Sequence, residues 1–171
     1  AVRAAIAEPI AHEPLHKLVG PKSRVTIAFD DASGAFFQTR RADFRQVAIE
    51  LIVEELRGAG VELGNIKLLC AQGLHRKLSR TEMETFLGRR LVLQFGYNNL
   101  YCHDAEGPDQ LVHLGYTPRG FDVEVNRAVI DSDQFIYLNT MWAPFNGGWK
   151  SIAVGLGTFR SIRHHHRPWP L

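Results

Sequence analysis

The chain has 171 residues, a length suited to one domain that buries about two thirds of the surface its unfolded form would expose. Apolar residues make up 45% and charged residues 22%, ordinary globular usage that excludes a disordered chain and makes a disulfide-stapled miniprotein unnecessary. Twenty Lys and Arg against eighteen Asp and Glu leave a net charge of +2, too small to call for a nucleic acid or a membrane surface as partner.

Residues 1–20 read as a helical or loose lead-in broken by Pro9 and Pro14, and residues 21–171 as the domain proper. Arg24–Phe29 is the first clear strand, apolar on both faces as in a covered parallel sheet, and it stops at Asp30-Asp31. After a loop, the spacing of Phe44, Val47, Ala48, Leu51, Ile52 and Leu56 predicts a helix over residues 42–57, ended by Gly58 and Gly60. Asn65–Ala71 is a second buried strand, followed by the Gly73-Leu74-His75-Arg76 turn and a helix opened by the capping box Ser79-x-x-Glu82. Strand, helix, strand, helix implies a parallel sheet. Leu91–Phe95, Leu111–Leu114, Phe121–Val125 and Gln134–Leu138 are short strand candidates, with a helical turn over Asn126–Ile130. Residues 142–157 read as a Gly-rich loop, and Thr158–His166 as a helix stopped by Pro168. The expected fold is α/β and Rossmann-like, a mostly parallel sheet flanked by helices.

The two cysteines, Cys70 in an apolar run and Cys102 in a polar loop-like stretch, do not suggest a disulfide framework, so a reducing cytoplasm is the default compartment. No apolar stretch approaches the roughly 18 residues of a membrane span, and the start lacks a signal peptide's apolar region. The missing initiator Met points to an incomplete N-terminus.

Ligands of open parallel sheets sit beyond the carboxyl ends of the strands, where Asp30-Asp31, the His75 turn and Asn139-Thr140 converge. Asp30 and Asp31 suit a ribose, a metal or a cationic group, and equally a solvated turn or helix cap. His75, in a Gly-containing loop, can take a proton from a substrate hydroxyl, although a lone histidine is more often a satisfied loop residue. Gly147-Gly148-Trp149-Lys150 places an amine behind a diglycine that lets backbone approach a bound group, without the spacing of a nucleotide-binding P-loop. His164-His165-His166 invites a metal, or simply ends a helix with favourable charge. No CxxC, HExxH or GxGxxG is present.

Taken in order, VTIAFDD, AQGLHR, HDAEGPDQLVHLGYTPRG, VNRAVIDSD and GGWK followed by His166 resemble the N-terminal domain of the nickel-pincer lactate racemase family, from about Pro14 to His166. The resemblance implies a nickel pincer nucleotide, derived from nicotinic acid, tethered as a thioamide to Lys150, with His166 as the nickel ligand and His75 as one of two acid/base histidines. On the same reading Asp30, Asp31, Gly147 and Gly148 join Lys150 in holding the cofactor. The family reaction moves a 2-hydroxy proton to histidine and hydride from C2 to the cofactor, leaving a planar 2-keto acid that can be refilled on either face. The family's second histidine falls in Asn139-Thr140-Met141-Trp142, and its carboxylate-clamping arginine falls at Gly34, with Arg40 and Arg41 as displaced candidates. Both departures imply a substrate other than lactate, bulkier or less acidic, such as a sugar acid.

The expected function is therefore the cofactor-binding half of a 2-hydroxy acid racemase or epimerase, an isomerase, inactive alone without a C-terminal domain or partner chain and open to homo-oligomer formation. The alternative is a non-catalytic nucleotide- or metal-binding domain of the same fold. An oxidoreductase using ordinary nicotinamide is disfavoured by the absent glycine fingerprint.

Overall fold

The computed structural model describes residues 2–31, 42–139 and 149–165. Its elements in chain order are α1 (Val2–Ala7), α2 (Leu15–Leu18), β1 (Val25–Asp30), α3 (Phe44–Gly58), β2 (Ile66–Ala71), α4 (Arg80–Leu87), α5 (Arg89–Gln94) and β3 (Leu100–Cys102). They continue with β4 (Leu111–Tyr116), β5 (Asp122–Asn126), α6 (Ala128–Asp131), β6 (Gln134–Leu138), α7 (Trp149–Gly155) and α8 (Phe159–Ile162). Among them no helix is long and apolar enough to cross a membrane.

The main sheet has the order β3-β2-β1-β6, every neighbouring pair parallel, and β4-β5 form a separate antiparallel hairpin. The Rossmann-like, mostly parallel expectation therefore holds. β1 is buried along Val25–Phe29 because both its faces are covered, as its unbroken apolar run requires. Val25, Ile27 and Phe29 pack with Ile66, Leu68 and Cys70 under α3, α4 and α5. Ala28, Leu69 and Ala71 face the other way, against Ala128 and Leu156. The lead-in belongs to the same body: Ile6, Leu15 and Val19 pack on the first core.

Several sequence expectations need correction. Leu91–Phe95 is not a strand: Gly88, at φ +77°, ends α4 and starts α5, which buries Leu91 and Val92 on a helix. An apolar run this short has no decisive period. The third strand is Leu100–Cys102, so Cys102 lies in the sheet and not in a loop. The stretch read as loop contains α7, a helix the neighbouring glycines obscured. α3 buries Arg45, Ala48, Ile49, Ile52, Val53 and Leu56, turned by one residue from the expected stripe, and leaves Phe44 and Val47 exposed. Hydropathy could not register that this stripe begins with a buried guanidinium. The capping box at Ser79 and Glu82 forms as expected.

Candidate functional site

β1 is the strand at which the chain order reverses: α3 leads to β2 on one side, while β6 returns on the other. A crevice at such a switch point is where open α/β sheets bind ligands. Asp30 and Asp31 stand at its carboxyl end and diverge. The Tyr137 hydroxyl donates to Asp30 Oδ1 at 3.2 Å. The Asn139 amide, turned so that its nitrogen faces Asp30, donates to Oδ2 at 2.7 Å and to Ser151 Oγ at 3.3 Å. Burial, followed by the Asp30 carboxylate beside it, pushes the Tyr137 phenol up, so Tyr137 acts as a fixed donor. Asp31 instead meets His75, whose Nδ1 lies 2.8 Å from Asp31 Oδ2. The Asp31 carboxylate is 12% exposed and the imidazole 62%, so one partner is anchored and the other faces the solvent side.

The His75 turn needs its glycine. Gly73 has φ +58°, and a Cβ there would stand 2.7 Å from the Val154 carbonyl oxygen. That approach lets the Gly73 N–H donate to the Gly155 carbonyl at 2.9 Å and ties the turn to α7. Gln72 Nε2 donates to the His75 carbonyl at 3.2 Å, while its buried Oε1 has no partner among the described residues.

Arg45 fixes the acidic pair from behind, a role hydropathy gave no sign of. Its guanidinium donates to the carbonyls of Asp30 (2.9 Å) and Asp31 (2.6 Å), and to both oxygens of Asp43 at 2.8 and 2.7 Å. The Phe86 ring lies 4.2 Å from it. Asp43 also caps α3 by accepting from Arg45 N. Burial opposes its ionisation, but the hydrogen bonds and charge of Arg45 outweigh burial and hold the carboxyl below its usual range.

Lys150 lies in the first turn of α7, next to Ser151 and hence near Asn139 and Asp30. The far end of α7 packs so closely on the sheet that a Cβ on Gly155 would collide with the Tyr137 hydroxyl. The link into α8 is held by the buried His103, whose Nε2–H donates to the Gly157 carbonyl at 2.8 Å while Nδ1 accepts from the Asn126 amide at 3.1 Å. Burial pushes the His103 pKa down, in keeping with this neutral form. Of the expected site residues, Asp30, Asp31, His75 and the backbone of Lys150 share the carboxyl edge. Gly147, Gly148, His166, Arg40, Arg41 and the Thr140–Trp142 stretch lie outside the described residues. Tyr137, Ser151, Gln72 and Arg45 were missed because their parts depend on tertiary partners.

A second polar cluster sits on the hairpin, where ligand atoms of His113, Asp122 and Glu124 lie within 4.8 Å of one another. Arg160 already spans it, 2.7 Å from Asp122 Oδ1 and 3.2 Å from Glu124 Oε1. His164 Nε2 is 3.4 Å from Asp122 Oδ2, and its ring stacks on Phe121. A cation entering here would have to displace a guanidinium. A cavity of about 580 Å³ lies at the opposite, amino edge of the sheet, bounded by Arg24, Lys67, Tyr101, Arg127 and Asp131.

The family profile described as lactate racemase N-terminal domain matches residues 1–169. The lactate racemase of Thermoanaerobacterium thermosaccharolyticum is 27% identical over 169 residues, covering 96% of this chain and 37% of that protein. The lactate racemase of Lactiplantibacillus plantarum is 23% identical over 169 residues, with the same shares, 96% and 37%. Among solved structures, the T. thermosaccharolyticum lactate racemase apoprotein superposes with a TM-score of 0.76 at 25% identity, over 94% of this chain and 37% of that one. A Thermotoga maritima protein shares the fold, with a TM-score of 0.63 at 21% identity over 92% of this chain and 38% of that one. The chain thus spans about 37% of the length of the curated relatives it matches.

Proposed function

The chain belongs to the lactate racemase N-terminal domain family, and from that premise we propose that it is the cofactor-binding half of a nickel-pincer-dependent 2-hydroxy acid racemase or epimerase. The observation that carries the reading is the Asp31–His75 pair, 2.8 Å apart at the carboxyl edge of the central strand. With Nδ1–H donated to Asp31, the imidazole carries Nε2 as its acceptor nitrogen, the arrangement of an oriented general base. His75 then accepts the 2-hydroxy proton at Nε2 and returns it, while Asp31 holds the ring and balances the imidazolium.

The residues present suit the implied group. Lys150, which precedes Ser151 in the first turn of α7, would supply the amine for the thioamide tether. Gln72 Oε1, buried at the same edge and without a partner among the described residues, is an acceptor that a donor on a bound group would satisfy. His166 is assigned to nickel, and Gly147 and Gly148 to close backbone approach, by the family resemblance. When bound, the pincer nucleotide would supply the hydride-accepting carbon, chemistry no side chain of this chain can provide. The Arg45 clamp on Asp30 and Asp31 keeps the acidic pair in place while the proton moves.

Because the chain corresponds to 37% of its relatives' length, the test reads cofactor loading and not turnover. The chain is produced together with the cofactor-making enzymes, and its intact mass and nickel content are measured. The wild type carries a covalent adduct and nickel, Lys150→Ala carries no adduct, and His75→Ala keeps both. An unmodified Lys150 with no nickel co-purifying would overturn the proposal.

A further inference from the structure

β2 and β3 end side by side, and their last aligned pair is Cys70 opposite Cys102. Both are free thiols. Aligned residues on neighbouring strands stand about 4.8 Å apart, inside the window of about 4.4–6.8 Å between Cα atoms that a disulfide accepts. Both side chains point to the helix-covered face, Cys70 within the core cluster and Cys102 packed against it.

The two sites differ in a chemically useful way. Cys70 is fully buried, whereas Cys102 is half-buried, with Sγ 3.4 Å from the Leu78 carbonyl in the segment that follows His75. The register sets the two thiols opposite each other, and their interaction pushes Cys70 up and, against burial, brings Cys102 down to about 7. The Lys77 ammonium adds to the lowering, and Asp31 opposes it. Lys77 is itself paired with Asp104. Cys102 is thus the more acidic and the less buried of the two thiols, with Cys70 opposite it in the register.

We propose that Cys102 and Cys70 form a two-thiol oxidation site for a hydroperoxide, with Cys102 as the attacking sulfur and Cys70 as the resolving one. The Cys102 thiolate attacks one peroxide oxygen, the O–O bond breaks, and a sulfenic acid forms as hydroxide or alkoxide leaves. Cys70 sulfur then attacks Cys102 sulfur, its proton and the sulfenic hydroxyl depart as water, and the Cys70–Cys102 disulfide remains. Two thiols lose two electrons in total, and one peroxide gains them. The site adjoins the Asp31–His75 pair, since Asp31 is among the charges both thiols feel, but it does not depend on the proposed racemase chemistry.

The test treats the reduced, purified chain with hydrogen peroxide, blocks remaining thiols with iodoacetamide, and maps peptides by mass. The expected product is an intramolecular peptide pair joining Cys70 to Cys102, reversed by dithiothreitol. In Cys70→Ser the oxidation stops at a Cys102 sulfenic acid that dimedone captures, and in Cys102→Ser thiol loss slows at least about tenfold. The wild-type map needs no variant to fold, so it stands even if a serine substitution perturbs the core. Disulfides only between molecules, no disulfide at all, or oxidation of Cys102→Ser at the wild-type rate would each overturn the proposal.

Discussion

Replacing Arg45 by alanine removes the group that joins α3 to the end of β1, and the size of the loss follows from its partners. The Arg45 and Asp43 side chains are 8% and 12% exposed and lie 2.7 Å apart. Breaking such a buried pair costs about 3–5 kcal/mol, because the remaining carboxylate is left without its counter-charge. Two carbonyl acceptors and the contact with Phe86 are lost as well, whereas water entering the vacated space restores part of the solvation. A net loss of about 4 kcal/mol is expected, or about 8–16 °C in Tm for a domain of this size. Urea unfolding followed by circular dichroism reads it. The second arm is Asp43→Asn with Arg45→Leu, which keeps a good helix cap, removes the stranded charge and fills the site with apolar atoms. The double variant should lose less than the single one. A single-variant loss below about 1 kcal/mol, or a double variant weaker than the single, would refute the account of Arg45 as a clamp whose value lies in its partners.

Acid should destabilise the fold through carboxyls held below their usual range: Asp133 and Glu82, each brought to about 2 first of all by a side-chain hydrogen bond, from Arg24 and Arg76, together with Asp43, Asp104 and Asp122. Such groups stay ionised in the folded state where the unfolded chain already binds protons, so their contribution is full above the usual carboxyl values of 3.8 and 4.5 and fades as pH falls toward about 2. Asp133→Asn or Glu82→Gln should flatten that slope in unfolding free energies measured against pH, and an unchanged slope counts against it. His103 follows the same sign in a higher window: its pKa is lowered by burial, so its contribution is full above the ordinary value of 6.5 and fades below it. His103→Ala should remove that step and destabilise by about 1–3 kcal/mol, by leaving the Gly157 carbonyl and Asn126 amide unpaired. Gly155→Ala should cost about 1–3 kcal/mol by driving a methyl against the Tyr137 hydroxyl and the Ala71 carbonyl, and a neutral result would mean α7 packs less closely than described.

What could be read from the chain alone was whatever local pattern determines. β1 and β2 are nearly unbroken apolar runs, Ser79 and Glu82 spell a capping box, and the alternation of strand and helix leaves a parallel sheet as the simple solution. The edge on which Asp30, Asp31 and His75 meet follows from that topology, because every strand of a parallel sheet ends on the same side. What stayed hidden depends on partners far along the chain. Arg45 is charged and falls on the buried side of α3 only because Asp43, Phe86 and two strand-end carbonyls receive it. β3 is three residues long, too short to show a period, and the Gly155 position looks like loop chemistry until the sheet it presses against is in place.

The divergence of the acidic pair bears on how one short motif can serve two tasks. Asp30 is bound into a set with Tyr137, Asn139 and Ser151, on the side where α7 brings Lys150 to the edge. Asp31 accepts from His75, next to the paired cysteines. Successive strand residues point to opposite faces, so two adjacent carboxylates at a strand end naturally reach different walls of the same crevice. Arg45 holds both at once by their carbonyls and leaves both carboxylates to other partners. A substitution at Asp30 should therefore act through the placement of α7, and one at Asp31 through the orientation of His75. In the proposed chemistry the first is a matter of holding the cofactor and the second of moving the proton, which is why neither aspartate can stand in for the other.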